Sequence, residues 1–152
     1  MGRGNWPAFW TLGISGTWPA CGEFDIFEMF GHNDWTGDRM VGMYMHCQSP
    51  PGSSTLYEKY FPVGENAGDQ FRVYGIEWTP TSVRAYIDHE YYGTIDITNP
   101  QYGIAFQQEH YMILNYALGG NAGAVIEDPA KPGTMFPRRM EVDYVKIWEF
   151  LD

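Results

Sequence analysis

The sequence is organised around Gly22-Glu23-Phe24-Asp25-Ile26-Phe27-Glu28-Met29-Phe30, in which three carboxylates lie within six residues. Successive side chains of a β-strand point to opposite faces, so a strand here places Glu23 and Asp25 on one face and apolar residues on the other. Glu28 breaks this alternation by one residue. A single-residue bulge at Ile26-Phe27 returns Glu28 to the acidic face, and bulges are frequent beside active sites. The stretch therefore predicts a bulged strand with an acidic face.

The spacing of the two glutamates suits a particular chemistry. With one residue absorbed by the bulge, Glu23 and Glu28 are separated by about 13 Å of strand rise. Each side chain reaches roughly 4 Å toward the other, which leaves about 5 Å between carboxyl groups, as in a retaining glycosidase; an inverting enzyme needs a wider gap for water. Asp25, lying between them, would push their pKa values apart. From these residues alone, a half-buried antiparallel strand with a solvated acidic face fits equally well.

The run Glu23-x-Asp25-x-x-Glu28 resembles the active-site signature of glycoside hydrolase family 16, in its bulged laminarinase-type form. Other segments are similar to the family and follow in its order: Gly4–Trp10, Trp18–Gly22, Glu77–Pro80, Leu114–Asn121 and Val142–Lys146. The resemblance covers almost the whole chain. It implies that Glu23 is the nucleophile, Asp25 the assisting carboxylate and Glu28 the acid/base.

The resemblance implies an all-β fold, a concanavalin A-like jelly-roll β-sandwich of antiparallel strands, with residues 1–152 in a single domain. The composition agrees, because 17% aromatic residues with 18 Gly and 10 Pro are typical of an all-β protein. Family domains have several strands upstream of the segment Trp6–Trp10. The chain is therefore expected to be the C-terminal portion of the family domain, truncated at its N-terminus. Uncovered strand edges would then favour a homodimer.

Charge and hydropathy limit the partners. A net charge of −10 disfavours nucleic acid and anionic membranes, whereas a neutral polysaccharide is compatible with it. No apolar run approaches the length of a transmembrane helix. Met1-Gly2-Arg3-Gly4 runs directly into Trp6, so no signal peptide is expected in this chain, although the resemblance implies secretion. The chemistry is expected to need no cofactor.

Three tryptophans are candidates for substrate binding. Trp6, Trp10 and Trp18 lie in the aromatic, Gly-rich start of the chain, and exposed tryptophans stack on sugar faces while their N–H groups bond hydroxyls. Trp18 is the best candidate, because it lies five residues before Glu23 and a similar tryptophan lines the family's cleft. For Trp6 or Trp10, a place in the core is the alternative.

Three further positions carry predictions. The resemblance implies that His46 hydrogen-bonds the catalytic carboxylates or a sugar hydroxyl, although a lone strand histidine is more often structural. Asn115 either donates to a sugar hydroxyl or caps its own loop. A structural calcium ion is implied at Asp143, but calcium needs six to eight oxygen ligands, and the other family ligands come largely from the expected missing part.

Alternation predicts further strands at Val41–Gln48 and Phe71–Trp78. Ser82–Asp88 and Tyr91–Ile95 are predicted to form a hairpin, and His110–Leu118 and Met140–Phe150 are predicted as apolar strands. The last is expected to close the sheet, with Val142, Tyr144, Ile147 and Trp148 mostly in the core. Loops are predicted at 31–40, with His32, Asn33, Asp34 and Trp35 as rim candidates, at 49–54 and at 119–135.

The cysteine pair leaves two alternatives open. A hairpin of strands 21–30 and 41–48 would bring Cys21 and Cys47 near each other. If His46 and Glu23 share the cleft face, however, the two cysteines lie on opposite faces, which disfavours a disulfide.

These observations favour an endo-acting retaining β-glucanase, cleaving β-1,3- or mixed β-1,3/1,4-glucans. Galactan specificity of the agarase or carrageenase type stays open, because the bulged signature is shared. One alternative is a non-catalytic carbohydrate-binding module of the same fold, against which the intact Glu23, Asp25 and Glu28 argue. The other is an inactive fragment that folds only with its missing half.

Overall fold

The computed structural model describes residues 4–31, 40–48, 55–64, 68, 70–119 and 137–150. Its elements are β1 (Asn5–Gly13), β2 (Glu23–Glu28), β3 (Met40–His46), β4 (Thr55–Pro62), β5 (Tyr74–Trp78), β6 (Ser82–Ile87), β7 (Glu90–Asp96), a 3₁₀ turn (Gly103–Phe106) and β8 (His110–Leu118). The predicted loops lie almost entirely outside the described residues, and the rim candidates His32–Trp35 lie wholly outside them. In the described part, no helix is long and apolar enough to cross a membrane.

Two antiparallel sheets enclose the core. The first has the strand order β4-β3-β2-β1-β8 and the second the order β5-β6-β7. Alternation places one face of each sheet in the core, so the expected all-β sandwich is confirmed. The side chains that are almost completely buried come from both sheets and the 3₁₀ turn: Phe24, Val41, Met43, Met45, Val83, Ile87 and Phe106.

The predicted bulge in β2 is confirmed by the pairing of its two neighbours. Asp25 lies opposite Tyr44 of β3, but Glu28 lies opposite Gly42, so β2 uses one more residue than β3 over this interval. Pairing with β1 shows the same extra residue. The buried Tyr92 hydroxyl, from the other sheet, donates a 3.1 Å hydrogen bond to the Ile26 carbonyl within the bulge. The bulge therefore returns Glu28 to the face of Asp25.

The strand predicted at Met140–Phe150 is wrong. No strand is assigned there, and the side chains expected in the core are exposed, Ile147 by 74% and Trp148 by 73%. Val142 and Tyr144 are also exposed. The sequence pattern indicates which residues could be buried, but burial also requires a neighbouring strand. None of the described strands pairs with this segment. Met140 packs against the core, but the larger apolar side chains that follow it are exposed.

Cys21 and Cys47 are buried and are not joined in a disulfide. Glu23 pairs with His46, so continuing that register by one residue sets Cys47 opposite Gly22 rather than Cys21. The one-residue offset explains why the two thiols form no bond, because side chains one position out of register point to opposite faces.

Candidate active site

The three carboxylates of β2 share the face of the five-stranded sheet that points away from the core. Glu23 is half-buried, whereas Asp25 and Glu28 are only 2% and 8% exposed. The bulge brings Glu28 into line with the other two. Buried carboxylates are costly unless they are bonded, so their partners decide what the group can do.

Each glutamate accepts a hydrogen bond from a tryptophan. Trp18 donates from Nε1 to Oε2 of Glu23 at 2.5 Å, and Trp6 donates from Nε1 to Oε1 of Glu28 at 2.6 Å. Trp18 lies in the turn between β1 and β2, while Trp6 lies on β1. The sequence does not predict these two hydrogen bonds; it suggests sugar binding for both tryptophans, with a core position as the alternative for Trp6.

Asp25 contacts His46 across the β2–β3 pair. Nε2 of His46 lies 3.4 Å from Oδ2 of Asp25. Burial lowers the pKa of His46, but the contact with Asp25 and the nearby glutamates raises it overall. For Asp25, burial raises the pKa and His46 opposes the rise. The histidine therefore partly compensates a carboxylate that is almost completely removed from water.

The pKa values of both glutamates are raised well above their ordinary value. Burial is the largest cause in each case, and the charge of Asp25 is the second. The pKa of Glu23 rises to about 7 and that of Glu28 to about 8, although the tryptophan hydrogen bonds act in the opposite direction. Burial and the neighbouring charge therefore favour the protonated form of both carboxyl groups.

A row of aromatic rings borders the carboxylates. Tyr44 stacks on His46 with 6.1 Å between ring centroids, and its hydroxyl donates to the Tyr60 hydroxyl at 2.9 Å. Phe30 packs edge-on against Tyr44. Burial and the bond to Tyr60 raise the pKa of Tyr44, which keeps its hydroxyl protonated. Sequence reasoning missed Tyr44, although it lies two residues before His46 and so shares its face.

The remaining predicted binding residues lie on neighbouring strands. Trp10 of β1 donates from Nε1 to Oδ1 of Asn115 at 2.9 Å, so this amide is bonded to the tryptophan. Both Trp6 and Trp10 are half-buried, whereas Trp18 is 53% exposed and keeps much of its ring accessible. Contact of these residues with sugar stays a prediction.

Comparison with known proteins identifies the family. The family model of glycosyl hydrolases family 16 matches residues 1–146. The chain belongs to this family. It is 34% identical over 146 residues to the endo-1,3-1,4-beta-glycanase EglC of Rhizobium meliloti, an alignment that covers 96% of this chain and 27% of that protein. It is 32% identical over 152 residues to the beta-1,3-glucan-binding protein of Penaeus monodon, covering 81% of this chain and 41% of that protein.

Solved family 16 structures share the fold. The laminarinase from Flavobacterium sp. UMI-01 superimposes with a TM-score of 0.73 at 32% sequence identity, over 84% of this chain and 55% of that chain. The jelly-roll class expected from the sequence is therefore confirmed. The chain spans about half the length of this laminarinase, and less of the two curated relatives.

The calcium site implied at Asp143 by family resemblance stays a prediction. Asp143 is exposed. Within the described ranges, the one group of three acidic, histidine or cysteine side chains close enough to hold a metal ion is Glu23, Asp25 and His46, which excludes Asp143. Calcium needs six to eight oxygen ligands, which include backbone carbonyls and waters, so Asp143 would hold the ion only together with such further ligands.

Gly42 permits the position of Tyr44, and its replacement is expected to lower turnover. A Cβ at Gly42 would lie 2.5 Å from Cε2 of Tyr44, so Gly42→Ala must displace the ring, which packs on His46 and lies near Glu28. Small displacements of groups near the reacting atoms cost about ten- to a hundredfold in rate. We expect kcat to fall within that range, as measured by reducing-sugar release.

Gly75 offers a matched control in the three-stranded sheet, because a Cβ added there would lie 2.4 Å from Cζ of Tyr86 in the same sheet. Gly75→Ala should lower the melting temperature without lowering kcat of the folded fraction. Equal kcat losses in both variants would show that Gly42 matters only for folding.

Neutralising Glu28 is expected to stabilise the fold at alkaline pH. Its pKa rises from an ordinary value of 4.5 to about 8 in the folded protein. Between these pH values the folded state holds a proton that the unfolded state has released. The stability that this proton provides is present below pH 4.5 and is lost as the pH rises through about 8. The melting temperature of Glu28→Gln minus that of wild type should therefore be larger at pH 8 than at pH 5. The same difference between variant and wild type at both pH values would contradict the assignment.

Proposed function

We propose that this family 16 chain carries the catalytic centre of an endo-acting retaining β-glucanase. The observation that supports this most strongly is the arrangement on β2: two glutamates on one sheet face, each bound by an indole N–H, with buried Asp25 between them. A retaining glycosidase needs one ionised and one protonated carboxyl group flanking the scissile bond.

The family 16 signature Glu23-x-Asp25-x-x-Glu28 supports the division of roles. By that resemblance, Glu23 acts as the nucleophile and Glu28 acts as the acid. Glu23 attacks the anomeric carbon, the bond to the leaving sugar breaks, and Glu28 gives its proton to the leaving oxygen. Glu28 then accepts a proton from water, whose oxygen attacks the anomeric carbon and releases Glu23. Asp25 raises the pKa of both groups.

The substrate proposed is a neutral β-1,3- or mixed β-1,3/1,4-glucan. The names of the relatives support it, since one is an endo-1,3-1,4-beta-glycanase and another a laminarinase. The exposed ring of Trp18 beside Glu23 offers a surface on which a sugar could stack. A net charge of −10 favours a neutral chain over a sulfated one. Action on an external polysaccharide would require secretion, which we include in the proposal; the homodimer stays a prediction.

The test is sugar release from laminarin, lichenan and agarose, with Glu23→Gln as control. Release from a glucan that the variant abolishes would support the proposal and name the linkage. Release from agarose alone would show that the substrate is a galactan rather than a glucan. Binding to laminarin without release would favour a glucan-binding module, the activity named for the Penaeus monodon relative.

A further inference from the structure

The two indole N–H groups beside the carboxylates have charged partners. A buried indole N–H usually finds a hydrogen-bond partner, and Trp78 finds one in the Phe106 carbonyl at 3.2 Å. Trp6 and Trp18 instead donate to the side chains of Glu28 and Glu23. Their N–H groups are therefore directed at the proposed reacting groups.

Each of these indoles is itself held by a second ring. The ring of Trp6 lies 5.4 Å from Phe30, and that of Trp18 lies 6.0 Å from His46, measured between centroids. Such tilted aromatic pairs restrict the indole, and the restricted indole in turn restricts the carboxylate. Each hydrogen bond holds one oxygen of its carboxyl group in place, and Glu23 is also hydrogen-bonded to its neighbour Asp25.

We propose that Trp6 and Trp18 are positioning residues, Trp6 for Glu28 and Trp18 for Glu23, and that each acts through its indole N–H rather than through sugar stacking alone. This inference rests on the proposed function, because it takes Glu28 as the acid/base and Glu23 as the nucleophile. Preorganised side chains of this kind support catalysis by keeping reacting groups within a narrow geometry.

Removing each N–H has a different effect on the pH dependence of activity. A donor stabilises an ionised carboxylate, so its loss raises the pKa of that carboxyl group. Glu23 must be ionised to attack, so Trp18→Phe should move the acidic limb of the profile to higher pH. Glu28 must be protonated to act as acid, so Trp6→Phe should move the basic limb to higher pH. A purely structural or stacking role moves neither limb.

The experiment is the pH profile of kcat/KM on laminarin for wild type, Trp6→Phe and Trp18→Phe. We expect a shift of about one pH unit in the named limb, as for loss of a hydrogen bond to a charged group, and a fall in kcat of about tenfold. Trp10→Phe is the matched control within the cleft, because its N–H bonds the neutral amide of Asn115. Trp10→Phe should shift neither limb of the pH profile, even if it changes KM. Shifts in the control as large as those in the variants would overturn the proposal.

A second measurement separates this inference from the proposed function. Titration of ¹³C-labelled glutamate side chains by NMR reports the carboxyl pKa values without any substrate. If wild type released no sugar but Trp18→Phe still raised the pKa of Glu23, the positioning role would stand and the proposed function would fail. Unchanged glutamate pKa values would overturn the positioning role even in an active enzyme. Trp18 is half-exposed, so its variant can decide the matter if Trp6→Phe does not fold.

Discussion

Replacing Glu23 with glutamine is expected to lower kcat on laminarin by about ten-thousandfold or more, because the neutral amide cannot form the covalent glycosyl intermediate. Glutamine keeps the shape of the side chain and can still accept the hydrogen bond from Trp18 Nε1. Removing a group whose pKa is raised chiefly by burial should not weaken the fold. The measurement is reducing-sugar release together with the melting temperature of each protein.

Glu77→Gln is the matched control for this substitution. Glu77 is on β5 of the other sheet and pairs with Arg84 at 3.3 Å, away from the carboxylates of β2. Loss of a surface pair of this kind costs little stability, so turnover should stay close to wild type. Near-normal activity in Glu23→Gln would show that Glu23 is not the nucleophile.

Replacing Glu28 with glutamine is expected to lower kcat on laminarin by about a hundred- to ten-thousandfold, the usual contribution of general acid–base catalysis. The loss should depend on the leaving group. A sugar leaves poorly without a proton, whereas an activated phenol leaves without one, so formation of the glycosyl intermediate from an aryl β-glucoside should be nearly unaffected. Pre-steady-state phenol release measures this step directly.

The comparison between the two glutamates provides the control. In Glu23→Gln the glycosyl intermediate should not form with either kind of leaving group, because the nucleophile acts in both reactions. The rapid phenol burst from the aryl β-glucoside should therefore be absent. A burst in Glu23→Gln and none in Glu28→Gln would reverse the roles proposed for these residues.

The parts of the site that lie on one strand could be predicted from the sequence. Glu23 and Asp25 follow the two-residue period of a strand. Glu28 is out of phase with this period and can share their face only if the strand contains one extra residue. The pairing of Asp25 with Tyr44 and of Glu28 with Gly42 confirms that residue. The same parity argument extends from His46 to Tyr44. Local periodicity fixes which face a residue occupies, so it succeeds wherever the partner is on the same or the adjacent strand.

The contacts between separate segments could not be predicted in this way. The bond from Trp6 to Glu28 depends on the register of β1 against β2, which also contains the irregularity at Phe9 and Trp10. The segment Met140–Phe150 shows the opposite failure, since its apolar residues favour a buried strand but none of the described strands pairs with it. Pairing partners are a property of the whole fold, and a periodic pattern does not specify them.

The stereochemistry of the first product tests the central claim most directly. Proton NMR during the first minutes of laminarin hydrolysis distinguishes the α- and β-anomers of the new reducing end before they interconvert. Double displacement through Glu23, with Glu28 as acid and then base, predicts the β-anomer. An α-anomer would show direct attack by water, and would contradict the assignment of Glu23 as a covalent nucleophile.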